Sequence, residues 1–135
     1  AKVRFIGNCK SKIIKVIFSH NLDDILDLHR LVGEYLEESW VGRLRNVDVR
    51  VVNFLPPSNI KVHALMIKYC ISLGQWDSWE AHNEFEKIHP FQDLNGRVGR
   101  LIWLSKAIHE GYTFKLSFLQ AYYYQTLSRY ENGKI

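Results

Sequence analysis

The sequence predicts a mainly α-helical protein with a small β addition. Apolar residues recur at helical spacing along five stretches, whereas the alternating or β-branched stretches are short. No internal repeat, low-complexity tract or linker divides the 135 residues. We therefore expect one domain over residues 1–135, with a length sufficient for a real core.

The N-terminal part predicts a short hairpin followed by a long helix. Residues 2–6 and 12–18 are alternating or β-branched and are separated by Gly7-Asn8. Helix caps are available from Ser19 to Asn21, and the apolar spacing that follows predicts a helix to about Ser39.

The middle of the chain predicts an exposed extended segment and then a second helix. Valines alternate with polar residues in 42–54, which is typical of a hairpin or flap rather than a core strand. Pro56-Pro57 prevents a helix until Ser58 or Asn59 can cap one. That helix is predicted to end near Gly74.

Three further helices are predicted after Gly74. Ser78 is the expected cap of a helix from Trp79 to about Ile88, which His89-Pro90 ends. The next helix is expected from near Asn95 to Gly111, and the last spans about 117–130.

Composition and charge restrict the class of protein only loosely. Apolar residues form 47% and charged residues 24%, which is ordinary for a globular protein. The net charge of +4 and the pI near 9.1 permit nucleic acid as a partner, and an anionic small ligand such as a nucleotide fits equally well. No apolar run approaches the roughly 18–20 residues of a membrane span. Cys9 and Cys70 are expected to be free thiols.

The most informative stretch is His89-Pro90-Phe91-Gln92-Asp93-Leu94-Asn95-Gly96, followed by Arg97 and Arg100. It combines a base, a metal ligand and three groups suited to phosphate beside a predicted helix start, where N–H groups point at anions. No structural role that we can devise requires this combination.

His89 and Asp93 are the candidate base and metal ligand. An imidazole of ordinary pKa near 6.5 can take a proton from a substrate hydroxyl at neutral pH. Asp93 suits two roles, a cap for the following helix or a ligand for one Mg²⁺ that leaves other positions for phosphate and water.

The remaining motif residues are candidates for phosphate binding. The N–H groups of Leu94, Asn95 and Gly96 are suited to an anion-binding nest, and Asn95 adds a side-chain donor. Arg97 and Arg100 share a helix face. Two like charges near the positive end of a helix favour a di- or triphosphate between them.

These residues resemble the signature of the Fic (Fic/Doc, or Fido) family, and the resemblance covers roughly residues 22–130. Residues 40–45 are similar to the segment before that family's flap, and residues 47–57 to the flap and the turn after it. The resemblance implies a helical bundle with a β-hairpin flap. It also implies a protein adenylyltransferase that moves AMP from ATP onto a Ser, Thr or Tyr hydroxyl of a target protein.

The resemblance assigns a role to each matching residue. His89 would deprotonate the hydroxyl, and Asp93 would hold Mg²⁺ against the α- and β-phosphates. Asn95 and the N–H groups of residues 94–96 would stabilise charge on the transferred group, with Arg97 on the β-phosphate and Arg100 on the γ-phosphate. The flap would align an extended target segment by strand addition through Val47, Asp48, Val49, Arg50 and Val51.

Two features depart from the family pattern. Position 94 is Leu where most members have Gly, and Leu with φ > 0 costs on the order of 1 kcal/mol or more. Leu94 thus leaves open the transfer of phosphate or phosphocholine instead of AMP, or a degenerate binding module. Glu131 is a near match to the family's inhibitory glutamate and is a candidate partner of Arg100. A separate inhibitor protein is the other expected means of restraint.

A non-catalytic binding module is the alternative from another class. Tyr122-Tyr123-Tyr124 and the basic pI suit stacking on nucleic acid, although helical spacing of the aromatics favours a core role, so nucleic acid is not the expected partner. A metal hydrolase is excluded because His82 and His89 lack metal-ligand spacing. The remaining histidines are expected to be structural, namely His20, His29, His63 and His109. A cytoplasmic location is expected, and export into another cell is left open.

Overall fold

A computed structural model describes residues 20–112, which form four α-helices joined by short turns and one long extended segment. The helices are α1 (Leu22–Gly33), α2 (Asn59–Ser72), α3 (Ser78–Ile88) and α4 (Asn95–His109). Turns of 3₁₀ helix at Glu34–Leu36 and Leu73–Gln75 follow α1 and α2. The mainly helical fold class is confirmed. The predicted N-terminal hairpin and last helix lie outside the described residues.

The first helix is shorter than predicted. Asn21 caps it as expected, because its side chain accepts the Asp23 N–H at 2.7 Å. The helix ends at Gly33 rather than near Ser39, since the chain tightens into the 3₁₀ turn and Glu37 then adopts φ 55. A left-handed residue at this position ends a helix, so the apolar spacing beyond Gly33 did not extend it.

Two aspartates cap the helices where serine or asparagine was expected. The Asp77 carboxylate accepts the Glu80 N–H at 2.8 Å and makes Ser78 the first residue of α3 rather than its cap. At α2, Asp48 Oδ1 accepts both the backbone N–H and the side-chain amide of Asn59, at 2.8 and 2.9 Å. The flap residue Asp48 thereby joins the extended segment to the start of α2.

The extended segment carries little regular β structure. Among the described residues its only pairing is one isolated antiparallel bridge between Val51 and Phe54. Val52 at the turn is 97% exposed and Leu55 is 77% exposed, as expected for a flap rather than a core strand. The expected hairpin is therefore a single tight turn in an otherwise open segment.

The core lies where α3 and α4 pack along each other, with α1 against α4 and α2 against α3. Phe85 of α3 and Val98 and Ile102 of α4 are fully buried. Phe91 and Leu94 extend this core into the loop between the two helices. The core therefore supports the buried side of the loop that carries the motif. Within residues 20–112, no helix has the length and apolar character needed to cross a bilayer.

Candidate active site

The motif loop is bounded by two residues in the left-handed region. His89 ends α3 with φ 51 and ψ 60, and Leu94 precedes α4 with φ 70 and ψ 16. The His89 N–H still bonds the Phe85 carbonyl at 3.1 Å, so the histidine stays attached to the helix. Such backbone conformations cost on the order of 1 kcal/mol each in residues other than glycine and persist only where packing imposes them.

Asn95 closes the loop on itself. Its side-chain oxygen accepts the Phe91 N–H at 2.9 Å, and its side-chain nitrogen donates to the Phe91 carbonyl at 2.7 Å. The residue is 2% exposed. Both halves of the amide thus hold the loop backbone in this structure. The direct contact with a transferred phosphoryl group remains a prediction.

His29 of α1 supports the loop from the opposite side. Its Nδ1 accepts the Gly42 N–H at 2.9 Å, and its Nε2 lies 3.1 Å from the Asp93 carbonyl. The ring is fully buried, and burial lowers its pKa to about 4, with the Asp93 backbone and carboxylate acting in the opposite direction. His29 is structural, as expected, but it supports the residue proposed to hold the metal.

The His89 imidazole is half-buried at the edge of the same loop. The edge of the Phe54 ring meets it at a centroid distance of 6.4 Å. Burial lowers the pKa of His89, and the Arg45 charge lowers it further, while the Glu86 carbonyl and Asp93 act to raise it. The Glu86 carbonyl faces the ring, although the buried Nδ1 does not reach hydrogen-bond geometry. The imidazole is therefore neutral at pH 7, the form that a general base requires.

Leu94 takes the backbone conformation that glycine would take, and its side chain points into the core. The side chain is 1% exposed and packs on Gly33. A Cβ atom added to Gly33 would lie only 2.9 Å from Leu94 Cδ1. Because the side chain occupies the space above Gly33, it does not project into the solvent-facing side of the loop. The left-handed backbone at Leu94 is the conformation that glycine adopts most readily.

The two motif arginines differ in burial. Arg97 is 5% exposed and donates from Nη1 to the Tyr35 hydroxyl at 2.9 Å, with its guanidinium 5.9 Å from the centre of the Tyr35 ring. Arg100 lies over Gly96, where a Cβ would be 3.2 Å from its Nη1. Gly96 therefore lets the Arg100 guanidinium approach the start of the helix. The Arg100 guanidinium thus lies beside the start of α4, whereas the Arg97 guanidinium is nearly buried against Tyr35.

Asp93 fits a magnesium ion shared with phosphates but not an all-protein metal site. Its Oδ1 accepts the Leu94 N–H at 2.7 Å, which turns the carboxylate toward the start of α4. The described residues contain no group of three or more His, Cys, Asp or Glu side chains able to hold a metal. Mg²⁺ commonly uses one or two carboxylates and completes its shell with phosphate and water, so a lone aspartate is sufficient.

Arg45 is a site residue that sequence reasoning did not identify. It is 4% exposed and donates to the His89 carbonyl from Nε at 2.7 Å. The same guanidinium donates to the carbonyls of Val47 and Pro57, on either side of the flap. An arginine two residues before the flap was the available signal, but nothing in the sequence indicated that its side chain turns inward.

The family model of the Fic/DOC family matches residues 19–105. The match covers α1 to α3, most of α4 and the whole motif, so the chain belongs to this family, and the predicted resemblance is confirmed.

The relatives and solved structures agree with this assignment. The chain is 32% identical over 100 residues to a protein named "Protein adenylyltransferase Fic" from Drosophila grimshawi, covering 67% of this chain and 21% of that one. A protein of the same name from Nematostella vectensis is 27% identical over 136 residues, covering 93% of this chain and 32% of the relative. The chain thus spans about a fifth to a third of the length of these relatives.

Two solved structures share the fold. A Fic family protein from Desulfovibrio desulfuricans superposes with a TM-score of 0.65 at 24% identity, covering 98% of this chain and 42% of that one. Residues 134–508 of Fic-1 from C. elegans, with the substitution E274G, superpose with a TM-score of 0.58 at 27% identity, covering 97% and 41%.

Proposed function

We propose that this chain transfers AMP from ATP to a hydroxyl side chain of a target protein. The observation that carries the proposal is the placement of the His89 imidazole at one end of a loop whose other end opens α4, the helix that carries Arg97 and Arg100. The names of the relatives from Drosophila grimshawi and Nematostella vectensis support the same reaction.

The reaction follows from the order of groups along the loop. His89 accepts the proton of the target hydroxyl as its oxygen attacks the α-phosphorus of ATP. The bond from the α-phosphorus to the oxygen bridging toward the β-phosphate breaks, and pyrophosphate leaves with the bonding electrons. The target keeps an adenylyl group, and most of the acceleration comes from positioning and electrostatics.

The start of α4 would stabilise the negative charge on the leaving pyrophosphate. The N–H groups of Asn95 and Gly96 and the guanidiniums of Arg97 and Arg100 are suited to the phosphates, whereas the Leu94 N–H is bonded to the Asp93 carboxylate. Asp93 would hold Mg²⁺ against those phosphates, and the ion would supply charge neutralisation when bound. Asn95 holds the loop that presents these groups.

The flap supplies a surface for the target. Residues 48–50 belong to no helix or strand and lie between the Val47 carbonyl, which Arg45 binds, and the Val51–Phe54 bridge. This short segment would pair with a target strand by strand addition. Phe54 contacts the His89 ring edge-on, so a segment bound along the flap would bring its hydroxyl near the base.

The buried side chain of Leu94 argues against an inactive binding module, and the mass of the product decides among AMP, phosphate and phosphocholine. Transfer of phosphate or phosphocholine, or an inactive binding module, was left open because leucine replaces glycine. A leucine that packs on Gly33 and keeps the glycine-like backbone does not narrow the anion site.

Labelling with α-labelled ATP and Mg²⁺ in a cell lysate tests the proposal. We expect a labelled protein whose intact mass rises by an adenylyl group, and H89A should abolish the label. H63A, which changes an exposed histidine on α2, is the matched control and should label normally. Undiminished labelling with H89A would remove the proposed base, and a phosphoryl or phosphocholine mass would favour the alternative transfers.

A further inference from the structure

We infer that Arg45 is a positioning residue that sets the catalytic base and the target-binding flap in one fixed geometry. This inference rests on the proposed function, because His89 and the flap have their roles only in that reaction. The hydrogen bonds of the Arg45 side chain go to backbone carbonyls of this chain.

The contacts of Arg45 join four points of the backbone. Nε donates to the His89 carbonyl at 2.7 Å, and Nη2 donates to the Ile88 carbonyl at 3.3 Å. Nη1 donates to the Val47 carbonyl at 2.9 Å, and Nη2 donates also to the Pro57 carbonyl at 2.7 Å. The two ends of the flap and the last turn of α3 therefore share one guanidinium.

The backbone of Arg45 adds a fifth connection. Its N–H donates to the Pro90 carbonyl at 2.9 Å, immediately after His89. The side chain and backbone of one residue thus hold both sides of the histidine whose backbone is left-handed. A conformation of that kind persists only where its surroundings impose it, and Arg45 supplies much of that constraint.

The electrostatics explain why a buried cation is tolerated here. The carbonyls at the end of α3 carry the negative end of the helix dipole, and all five guanidinium N–H groups can point at acceptors in a planar fork. The flap residue Asp48 stabilises the charge as well, against the effect of burial on the pKa of Arg45. A lysine offers one ammonium and cannot span carbonyls on both sides of the flap.

The flap between Val47 and Pro57 otherwise has few internal restraints. Its single bridge joins Val51 and Phe54, and Asp48 bonds Asn59 at its far end. The distance between the flap and the His89 ring is therefore controlled chiefly by the Arg45 contacts. Loss of these contacts should change how the target binds and how its hydroxyl meets the base, but not how ATP binds.

The experiment compares R45M and R45K with R43M in the whole chain. Arg43 is exposed and two residues away, so R43M removes one charge from the same segment without touching the carbonyls. For R45M and R45K we expect a KM for the target raised about tenfold and a kcat lowered about 10- to 100-fold, with the KM for ATP unchanged within about twofold. R43M should match the parent in all three constants.

An NMR measurement separates this role from general loss of structure and needs no activity. Backbone order parameters of residues 47–53 should fall from about 0.85 to below about 0.6 in both Arg45 variants, while those of α2 stay unchanged.

The results that overturn the inference are specific. An ordered flap in both Arg45 variants would show that the guanidinium does not hold it. If the KM for ATP rises as much as the KM for the target while kcat falls, Arg45 is a merely structural residue. If the parent labels no target, the proposed function fails, whereas the order parameters still decide whether Arg45 joins the flap to His89.

Discussion

The His29 imidazole stacks on the Phe91 ring at a centroid distance of 3.7 Å, with the two planes 7° apart. Gly42 donates to Nδ1, so the ring proton resides on Nε2 and is donated to the Asp93 carbonyl. One neutral histidine thereby joins α1, the turn before the flap and the motif loop. Protonation of this ring would break the Gly42 hydrogen bond.

Replacing His29 should destabilise the protein at neutral pH and make its stability less sensitive to acid. H29Q loses the stack and leaves the buried Gly42 N–H poorly matched, which together cost about 2–4 kcal/mol. Urea unfolding at pH 7 measures this loss of unfolding free energy. H63Q, an exposed change on α2, should alter it by less than about 0.5 kcal/mol.

The pH dependence identifies the neutral ring as the stabilising form. The folded pKa of about 4 lies below the ordinary 6.5, so the unfolded chain takes the proton first as pH falls. The contribution of His29 is complete above about pH 6.5 and declines between 6.5 and 4, by up to about 3 kcal/mol. The stability difference between the parent and H29Q should therefore shrink over that window, and a constant difference would contradict a buried neutral ring.

Gly33 and Leu94 should be coupled through their shared space. A Cβ on residue 33 would meet Leu94 Cδ1 at 2.9 Å and Val41 Cγ2 at 3.2 Å, so G33A should cost about 1–3 kcal/mol by overpacking. L94A alone should cost about 2–5 kcal/mol, because it empties a fully buried site.

A double-mutant cycle measures that coupling. In the L94A background the added methyl group fills vacated volume, so G33A should become neutral or stabilising, with a coupling energy on the order of 1–2 kcal/mol. Equal costs of G33A in both backgrounds would show that the two positions do not share this space. L104A, a buried leucine elsewhere in α4, is the control background in which G33A should keep its full cost.

The fold and the motif were predictable from local signals. Apart from the C-terminal end of α1, the caps, the helical spacing and His89-Pro90 located the described helices to within a few residues, because these signals depend on neighbours in the chain. The 3₁₀ turn after Gly33 was not predictable, since Glu37 takes its left-handed conformation although the apolar spacing continues to Leu36. The capping by Asp48 joins positions 11 residues apart, which no local rule anticipates.

The residues that support the site could not be predicted, because their contacts also join positions that are distant in the sequence. His29 and Arg45 contact the motif across 64 and 44 residues of sequence. A lone histidine on an apolar helix face and an arginine before an exposed segment both have common structural explanations. Similarly, the direction of the Leu94 side chain depends on Gly33, whose role becomes visible only when α1 and α4 are packed.

Tyr35 should affect nucleotide binding through Arg97. Its hydroxyl accepts the Arg97 Nη1 hydrogen at 2.9 Å, while the ring is 53% exposed. Y35F removes this bond from the nearly buried Arg97 but keeps the ring beside the guanidinium, so the free energy of unfolding should fall by about 1–2 kcal/mol. A less firmly held Arg97 should weaken ATP binding about threefold to tenfold, in line with the loss of one hydrogen bond to a charged group.

Calorimetric titration of ATP with Mg²⁺ measures the effect of Y35F. The matched control is Y112F, since Tyr112 is also exposed but lies beyond the far end of α4. Unchanged affinity in Y35F would mean that the tyrosine does not orient Arg97 for phosphate.

The pH profile of transfer should report the His89 base. Because burial and the Arg45 charge lower its folded pKa, the imidazole remains neutral to a pH below 6.5. The acid limb of kcat/KM for the target should therefore have its midpoint below 6.5, with the rate falling as pH decreases through the folded pKa. Steady-state rates from about pH 5 to 8 give this midpoint, and H63Q should leave it in place. A midpoint at or above 6.5 would mean that another group takes the proton, or that the ring is solvated when the target binds.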